Sequence, residues 1–170
     1  FGRLAKQLIA KRLEKANINA TPEEFFPVSE SMLEKLKESE AIVRSEAEQK
    51  YGEDSSKISD YVYKYKRAHF FRNRPATSNR AEYSGFDTLV FLSTGVIRNL
   101  LLPCYWMFDK TVSSEGGPPS VWKKHCIPPT TQSDVVIEQS RRLWEIAEQE
   151  LDKTLEGCSR EDANRAYQLL

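Results

Sequence analysis

The sequence lacks a long hydrophobic run. Its longest apolar stretch, Val96 to Met107, contains Arg98, Asn99 and Pro103 and is too short to span a lipid bilayer. The first residues also lack the order of a signal peptide, in which basic, apolar and small residues follow one another. We therefore expect a protein that is neither exported nor inserted in a membrane.

Cysteine is scarce, and neither sign of charge is in excess. The three cysteines, Cys104, Cys126 and Cys158, form no CxxC pair and no Cys/His spacing typical of a zinc site. An odd number of cysteines favours reduced thiols, and a cytoplasmic location is the simplest interpretation. Lys and Arg total 25, as do Asp and Glu, so the whole chain has no electrostatic preference for nucleic acid or an acidic membrane.

The sequence also lacks a phosphate-binding loop. Its seven glycines are scattered, and no Gly-x-x-x-x-Gly-Lys-Ser/Thr motif occurs. No apolar strand ends in adjacent acidic residues that could hold magnesium and orient water. The neighbouring His125 and Cys126 need not face each other, and the sequence supplies no acid to orient them. We therefore predict no catalytic residue and no metal site in this chain.

The sequence does contain helical periodicity along most of its length. We predict a mainly α fold, with a long amphipathic N-terminal helical segment and a C-terminal helix pair. Residues 1–56 form a helical arm or linker, residues 57–130 a helical domain and residues 131–170 the C-terminal helices. Phe1 lies inside an amphipathic pattern, and the helix opened by a capping box at Ser159 has no stop signal, so we expect a longer parent protein.

The longest predicted helix of the first segment, residues 29–51, is acidic. Ten acids accompany four bases between Glu23 and Asp54. The predicted apolar stripe of this helix consists of Met32, Leu33, Leu36, Ile42 and Val43. We interpret its charged face as solvated surface, and docking of a protein partner is the alternative.

Residues 58–74 are both basic and aromatic. Tyr61, Tyr63 and Tyr65 alternate as in a strand, but Tyr61, Tyr65 and His69 would share one helix face, and we predict a helix because no partner strand is evident. The cations of this segment are Lys64, Lys66, Arg67, Arg72 and Arg74. Two interpretations stay open: a surface that binds phosphates and stacks bases, or core aromatics from which the cationic groups reach solvent.

Two helices that meet at a glycine turn are predicted next. Residues 86–93 follow helical spacing, Ser93-Thr94-Gly95 interrupts it, and a second apolar helix starts at Val96. Pro103 lies inside this second helix and is expected to kink or divide it.

A further amphipathic helix is predicted near the C-terminus. Thr131 or Ser133 is its predicted N-cap. Its apolar face consists of Val135, Val136, Ile137, Leu143, Trp144, Ile146, Ala147 and Leu151. Such a face indicates a packing or docking helix.

Arg98 falls in the first turn of the helix that follows the glycine turn. Because its neighbours are apolar, its guanidinium group must reach water, meet an anion, or pair with a neighbour such as Asp87.

The order of helix, small-residue turn ending in Gly95, two further residues and Arg98 resembles the sensor-2 motif in the lid domain of AAA+ ATPases. The likeness is to the origin-recognition-type branch and its prokaryotic relatives, and it covers residues 58–155. It implies that residues 57–130 form the lid, that Gly95 permits the turn and that Arg98 senses the terminal phosphate of a nucleotide. Residues 131–170 would then include the start of a winged-helix region.

The same resemblance implies a cofactor and partners. ATP with magnesium would be held mainly by a nucleotide-binding domain that precedes Phe1, within a homo-oligomer or larger complex. The implied function is that of a regulatory ATPase whose lid couples nucleotide state to DNA or partner binding, and antiviral defence is a candidate process. The alternative, from the residues alone, is a non-enzymatic helical module that binds nucleic acid or protein.

Overall fold

The structure is a computed structural model that describes residues 1–73, 82–122 and 124–154. This part of the chain contains seven α-helices, one turn of 3-10 helix and no strand, which confirms the predicted mainly α fold. The elements are α1 (Gly2–Lys15), α2 (Pro22–Phe25), α3 (Glu30–Tyr51), α4 (Ser55–Arg72), α5 (Phe86–Leu92), α6 (Ile97–Glu115), the 3-10 turn (Pro119–Val121) and α7 (Pro129–Thr154).

The main hydrophobic core is enclosed by α1, α2, α5, α6 and the first half of α7. The short α2 is fixed by a capping box, in which Thr21 Oγ1 accepts from Glu24 N at 3.2 Å and Glu24 Oε2 accepts from Thr21 N at 2.8 Å. Phe25 at its end stacks on Trp122, with ring centroids 6.0 Å apart. The Phe25 carbonyl accepts from Ile127 N at 2.8 Å, so the segment before α7 is tied to α2.

Helices α3 and α4 form a hairpin with a smaller core of its own. Ser29 caps α3 by accepting from Met32 N at 3.2 Å, and Asp54 caps α4 by accepting from Lys57 N at 3.1 Å. Gly52, with φ of +61°, lies in the left-handed region and ends α3. The buried residues between the two helices are Val43, Ala47, Ile58 and Val62.

The apolar stripe predicted for α3 is partly wrong. Leu33 and Ile42 are 40% and 49% exposed. The buried positions of α3 are Met32, Ser39, Val43 and Ala47. They lie seven, four and four residues apart and therefore share one helix face, on which small residues let α4 approach closely.

The hairpin is attached to the main core at the segment before α5. Ser84 Oγ accepts from Ser29 N at 2.9 Å, and the Ser84 N–H donates to Met32 Sδ at 3.4 Å. Phe71 on α4 stacks on Phe91 of α5, with ring centroids 6.3 Å apart. These contacts hold α4 beside α5, directly before the turn that leads to α6.

Helix α6 runs unbroken from Ile97 to Glu115 although Pro103 lies inside it. Of the two predicted effects of Pro103, division of the helix is therefore wrong, and a kink stays a prediction. A proline removes one backbone hydrogen bond, and the burial of Leu100, Cys104 and Met107 along the same helix stabilises the rest.

Helix α7 begins at Pro129, so neither Thr131 nor Ser133 is its N-cap as predicted. Ser133 Oγ instead accepts from Tyr83 N at 3.0 Å and donates to the Pro129 carbonyl at 3.0 Å. Within the predicted apolar face Val135 and Val136 are buried. The exposed members of that face are Leu143, Trp144 and Ile146.

The division of the chain at residues 56/57 and 130/131 stays a prediction. Helices α3 and α4 pack against each other across the first boundary. The predicted helix that starts at Ser159 lies outside the described residues. Among the helices that are described, none is long and apolar enough to cross a lipid bilayer.

Candidate functional site

The turn between α5 and α6 reverses the chain through two residues with positive φ, Thr94 at 50° and Gly95 at 82°. Ser93, which is almost fully buried, holds the turn because its Oγ donates to the Val90 carbonyl at 2.7 Å and its own carbonyl accepts from Val96 N at 2.9 Å. A Cβ at Gly95 would meet no atom within 4 Å, so glycine is favoured there by backbone conformation and not by packing.

Arg98 lies in the first turn of α6, and its side chain is exposed. Within the described residues, no side chain caps this helix at Val96, and Arg98 forms no ion pair. The free N–H groups of the first turn carry partial positive charge, and the Arg98 guanidinium adds a full one. The start of α6 is therefore a place where an anion would be stabilised.

Asp87, the alternative partner considered for Arg98, is engaged elsewhere. Its Oδ2 accepts from Arg67 Nη2 at 3.0 Å. The structure therefore pairs Asp87 with α4 and not with Arg98.

Two cations of the basic segment are used for packing α4. Lys66 Nζ lies 3.0 Å from Glu40 Oε2, and this hydrogen bond holds the pKa of Glu40 below its usual value, against the opposing effect of partial burial. Arg67 pairs with Asp87, and only 12% of its side chain is exposed. Both residues connect α4 to its neighbours.

The other cations of the segment point elsewhere or lie outside the described residues. Lys64 is exposed, with its ammonium 5.9 Å from the Tyr65 ring centroid. Arg72 is exposed in the last turn of α4, and Arg74 is one of the residues that are not described. Of the described cations of the segment, Lys64 and Arg72 are therefore exposed, whereas Lys66 and Arg67 form ion pairs.

Two of these cations line a cavity of about 700 Å³, together with residues that belong to no recognisable sequence motif. It lies between α1, α4 and α5, where Arg3 and Lys6 of α1 join Lys64 and Arg67. Nothing local in the sequence of α1 indicates which helix its polar face will meet, so sequence reasoning does not find Arg3 and Lys6.

The surroundings of His125 and Cys126 are not those of a nucleophilic cysteine that is activated by a histidine base. His125 Nδ1 lies 3.0 Å from the Pro119 carbonyl oxygen, so this ring nitrogen is engaged with the backbone. Burial raises the pKa of the Cys126 thiol, which makes its thiolate scarcer at neutral pH. That the pair is not catalytic stays a prediction, and both observations favour it.

Comparison with known protein families identifies the family of this chain. A family model described as ORC-CDC6-like matches residues 27–170. The chain belongs to the ORC-CDC6-like family. The resemblance drawn from Gly95 and Arg98 is thereby confirmed at the level of the family, which is one of AAA+ ATPases. No curated protein and no solved structure matches the chain.

Members of the ORC-CDC6-like family generally bind ATP with magnesium and assemble into oligomers. The described residues of this chain include a place that fits a phosphate group. No group of three or more His, Cys, Asp or Glu side chains in the described ranges could hold a metal ion. Phosphate oxygens, in contrast, suit the uncapped start of α6 and the Arg98 guanidinium.

Proposed function

We propose that this chain contributes the nucleotide-sensing lid of a regulatory ATPase of the ORC-CDC6-like family. Residues 57–130 form the lid, and Arg98 contacts the terminal phosphate of ATP whose remaining contacts come from a nucleotide-binding domain. Residues 131–170 lead toward a DNA- or partner-binding region. Membership of the family does not itself establish that the lid senses the nucleotide or that this sensing is coupled to DNA or a partner. These two functions are what we propose.

The observation that carries this proposal is the exposed Arg98 at the uncapped start of α6. A cation in the first turn of a helix opposes the helix dipole, so without an anion this position is mildly destabilising, by about 0.3–1 kcal/mol. A phosphate oxygen reverses the sign of that interaction and also accepts from the guanidinium group. The position therefore suits a residue that distinguishes ATP from ADP.

Coupling between the nucleotide and the rest of the chain would pass through α5. Its first turn carries Asp87, paired with Arg67 on α4, and its last turn carries Phe91, stacked on Phe71 of α4. A displacement of the start of α6 is thus transmitted through a short rigid helix to the α3–α4 hairpin. This arrangement supports the proposal that phosphate contact changes the position of a binding surface.

The test requires the protein in which this chain and its nucleotide-binding domain occur together. We expect Arg98→Ala to lower ATP turnover at least tenfold, because it removes the positive charge that stabilises the terminal phosphate. Arg98→Lys should retain part of the activity, since it keeps the charge but not the planar donor pair. ATP and ADP affinities, measured by calorimetry, should become more nearly equal in Arg98→Ala.

Arg141→Ala is the matched control, because Arg141 is an exposed arginine of α7 that does not line the groove in which Arg98 lies. It should leave turnover and nucleotide affinity unchanged. If Arg98→Ala behaves in the same way as Arg141→Ala, the sensor role is wrong.

A further inference from the structure

The cavity between α1, α4 and α5, which we call the α1–α4–α5 cavity, is separate from the proposed phosphate sensor. Gly95 is one of its lining residues, but Arg98 instead lines a groove that faces α7. The two concavities share no lining residue. A ligand in the α1–α4–α5 cavity is therefore recognised without Arg98, although Arg67, Asp87 and Phe91 of its wall also take part in the proposed coupling through α5.

Cations outnumber carboxylates in this cavity. Its charged residues are Arg3, Lys6, Lys64, Arg67, Glu23 and Asp87. Lys6 pairs with Glu23 at 2.7 Å, and Arg67 pairs with Asp87 at 3.0 Å. Four cations less two carboxylates leave a surplus of two positive charges, Arg3 and Lys64, in a chain whose formal net charge is +0. The cavity is thus a local positive site on a neutral protein.

Arg67, which lines this cavity, also carries a buried donor. Its Nη2 donates to Asp87, but its Nε is buried and has no hydrogen-bond partner among the described residues. A buried donor without an acceptor is costly, so the Arg67 side chain is held there at some expense in stability.

Exposed aromatic rings accompany the positive charge. Tyr63 is 74% exposed and Phe91 is 40% exposed, and both line the cavity. Tyr63 and Lys64 both line the cavity, so a planar ring and a cation are presented to the same ligand. Planar rings beside cations are the combination that binds stacked bases and their phosphates.

We infer that the α1–α4–α5 cavity binds a short stretch of single-stranded nucleic acid. Phosphates meet Arg3 and Lys64, and a base stacks on the Tyr63 ring. A duplex keeps its bases stacked within the helix and offers no free face to Tyr63, and an acidic peptide offers carboxylates without planar faces. The inference goes beyond the lid proposal and does not depend on it.

The test measures binding of a fluorescent oligothymidylate to the 170-residue chain by anisotropy, at several salt concentrations. Arg3→Gln combined with Lys64→Gln should weaken binding about tenfold and reduce the salt slope by roughly 1.4, at about 0.7 for each phosphate that is no longer neutralised. The matched control is Lys11→Gln combined with Lys57→Gln, which removes the same charge from exposed positions of α1 and α4 outside the cavity. It should change affinity by less than about twofold.

Stacking is tested at Tyr63. Tyr63→Ala should weaken binding about tenfold, within the roughly 1–3 kcal/mol that one stacked base contributes, whereas Tyr63→Phe should bind as the parent chain does. A duplex of the same length should bind at least tenfold more weakly. Arg98→Ala should bind the oligonucleotide normally, which separates this inference from the lid proposal.

Four results would overturn the inference. Equal effects of the two double variants would attribute the weakened binding to overall charge. A duplex that binds as tightly as the single strand would exclude recognition of free bases. Displacement of the oligonucleotide by ATP at equal concentration would indicate a site for a free nucleotide. Abolished binding in Arg98→Ala would contradict the separation of the two sites.

Discussion

Gln132 Oε1 accepts from the backbone N–H of Gly85 at 2.9 Å, and this bond joins the start of α7 to the segment before α5. The same side chain donates through Nε2 to the carbonyls of Pro27 and Ile127, at 2.9 and 3.0 Å. Gln132 is fully buried. One amide group therefore satisfies three backbone groups from three separate segments, in the region that positions α5 and its turn.

The first prediction concerns this amide. We expect Gln132→Leu to lower the free energy of unfolding by roughly 2–4 kcal/mol, because leucine is of similar size but leaves a buried N–H, a buried carbonyl and a part-buried carbonyl without partners. Chemical denaturation monitored by circular dichroism measures the change. Gln149→Leu, an exposed glutamine of the same helix, should change stability by less than about 0.5 kcal/mol. Equal stability of the two variants would contradict the bridging role.

Local signals explain why the α5–α6 turn was predictable and the Gln132 bridge was not. Ser93-Thr94-Gly95 interrupts helical spacing within three residues, so the turn and the place of Arg98 follow from neighbours in sequence. Gln132 has no neighbour in sequence that requires a buried amide. Its partners lie up to 105 residues away, and only the folded chain brings them together.

The same distinction applies to the helix faces. Apolar spacing predicted α3 and α4 as helices, but Leu33 and Ile42 are exposed, since the partner helix selects which of several near-equivalent stripes is buried. Arg3 and Lys64 line the same α1–α4–α5 cavity, but they are far apart in sequence, so no sequence pattern predicts that they lie close together. The positive charge of α4 was visible in the sequence, whereas its partner on α1 was not.

The second prediction concerns the backbone of the turn. Gly95→Ala should destabilise the chain by about 1 kcal/mol, because φ of +82° is unfavourable for a residue with a Cβ although space for one exists. Gly2→Ala should instead stabilise the chain, since Gly2 is helical and alanine reduces the conformational freedom of the unfolded chain. Thermal unfolding of both variants tests this pair. A neutral or stabilising Gly95→Ala would argue against a strained turn.

The third prediction concerns the thiols. Burial raises the pKa of Cys104 to about 12, so its thiolate is nearly absent at about pH 8, whereas Cys126 is only partly buried. Iodoacetamide at that pH should therefore modify Cys126 well before Cys104, as followed by mass spectrometry of the separate peptides. In denaturant the two rates should become similar. Rapid labelling of native Cys104 would contradict its place in the core.

The last prediction is a pH dependence of the contact between α3 and α4. The hydrogen bond from Lys66 lowers the pKa of Glu40 from its ordinary value of 4.5. A carboxyl group whose pKa is lowered on folding binds more protons in the unfolded state. Its stabilisation is therefore fully present above pH 4.5 and is lost as the pH falls through the folded pKa.

Glu40→Gln should consequently be less stable than the parent chain at neutral pH, and the difference should shrink as the pH falls from about 5 to about 3. Because 35% of the Glu40 side chain is exposed, solvent screens the pair, and we expect a difference below about 1 kcal/mol that decreases in high salt. Lys66→Met removes the other partner and should show the same pH profile. A difference that stays constant over this pH range would mean that Glu40 stabilises the hairpin through packing, because only the ion pair depends on its ionisation.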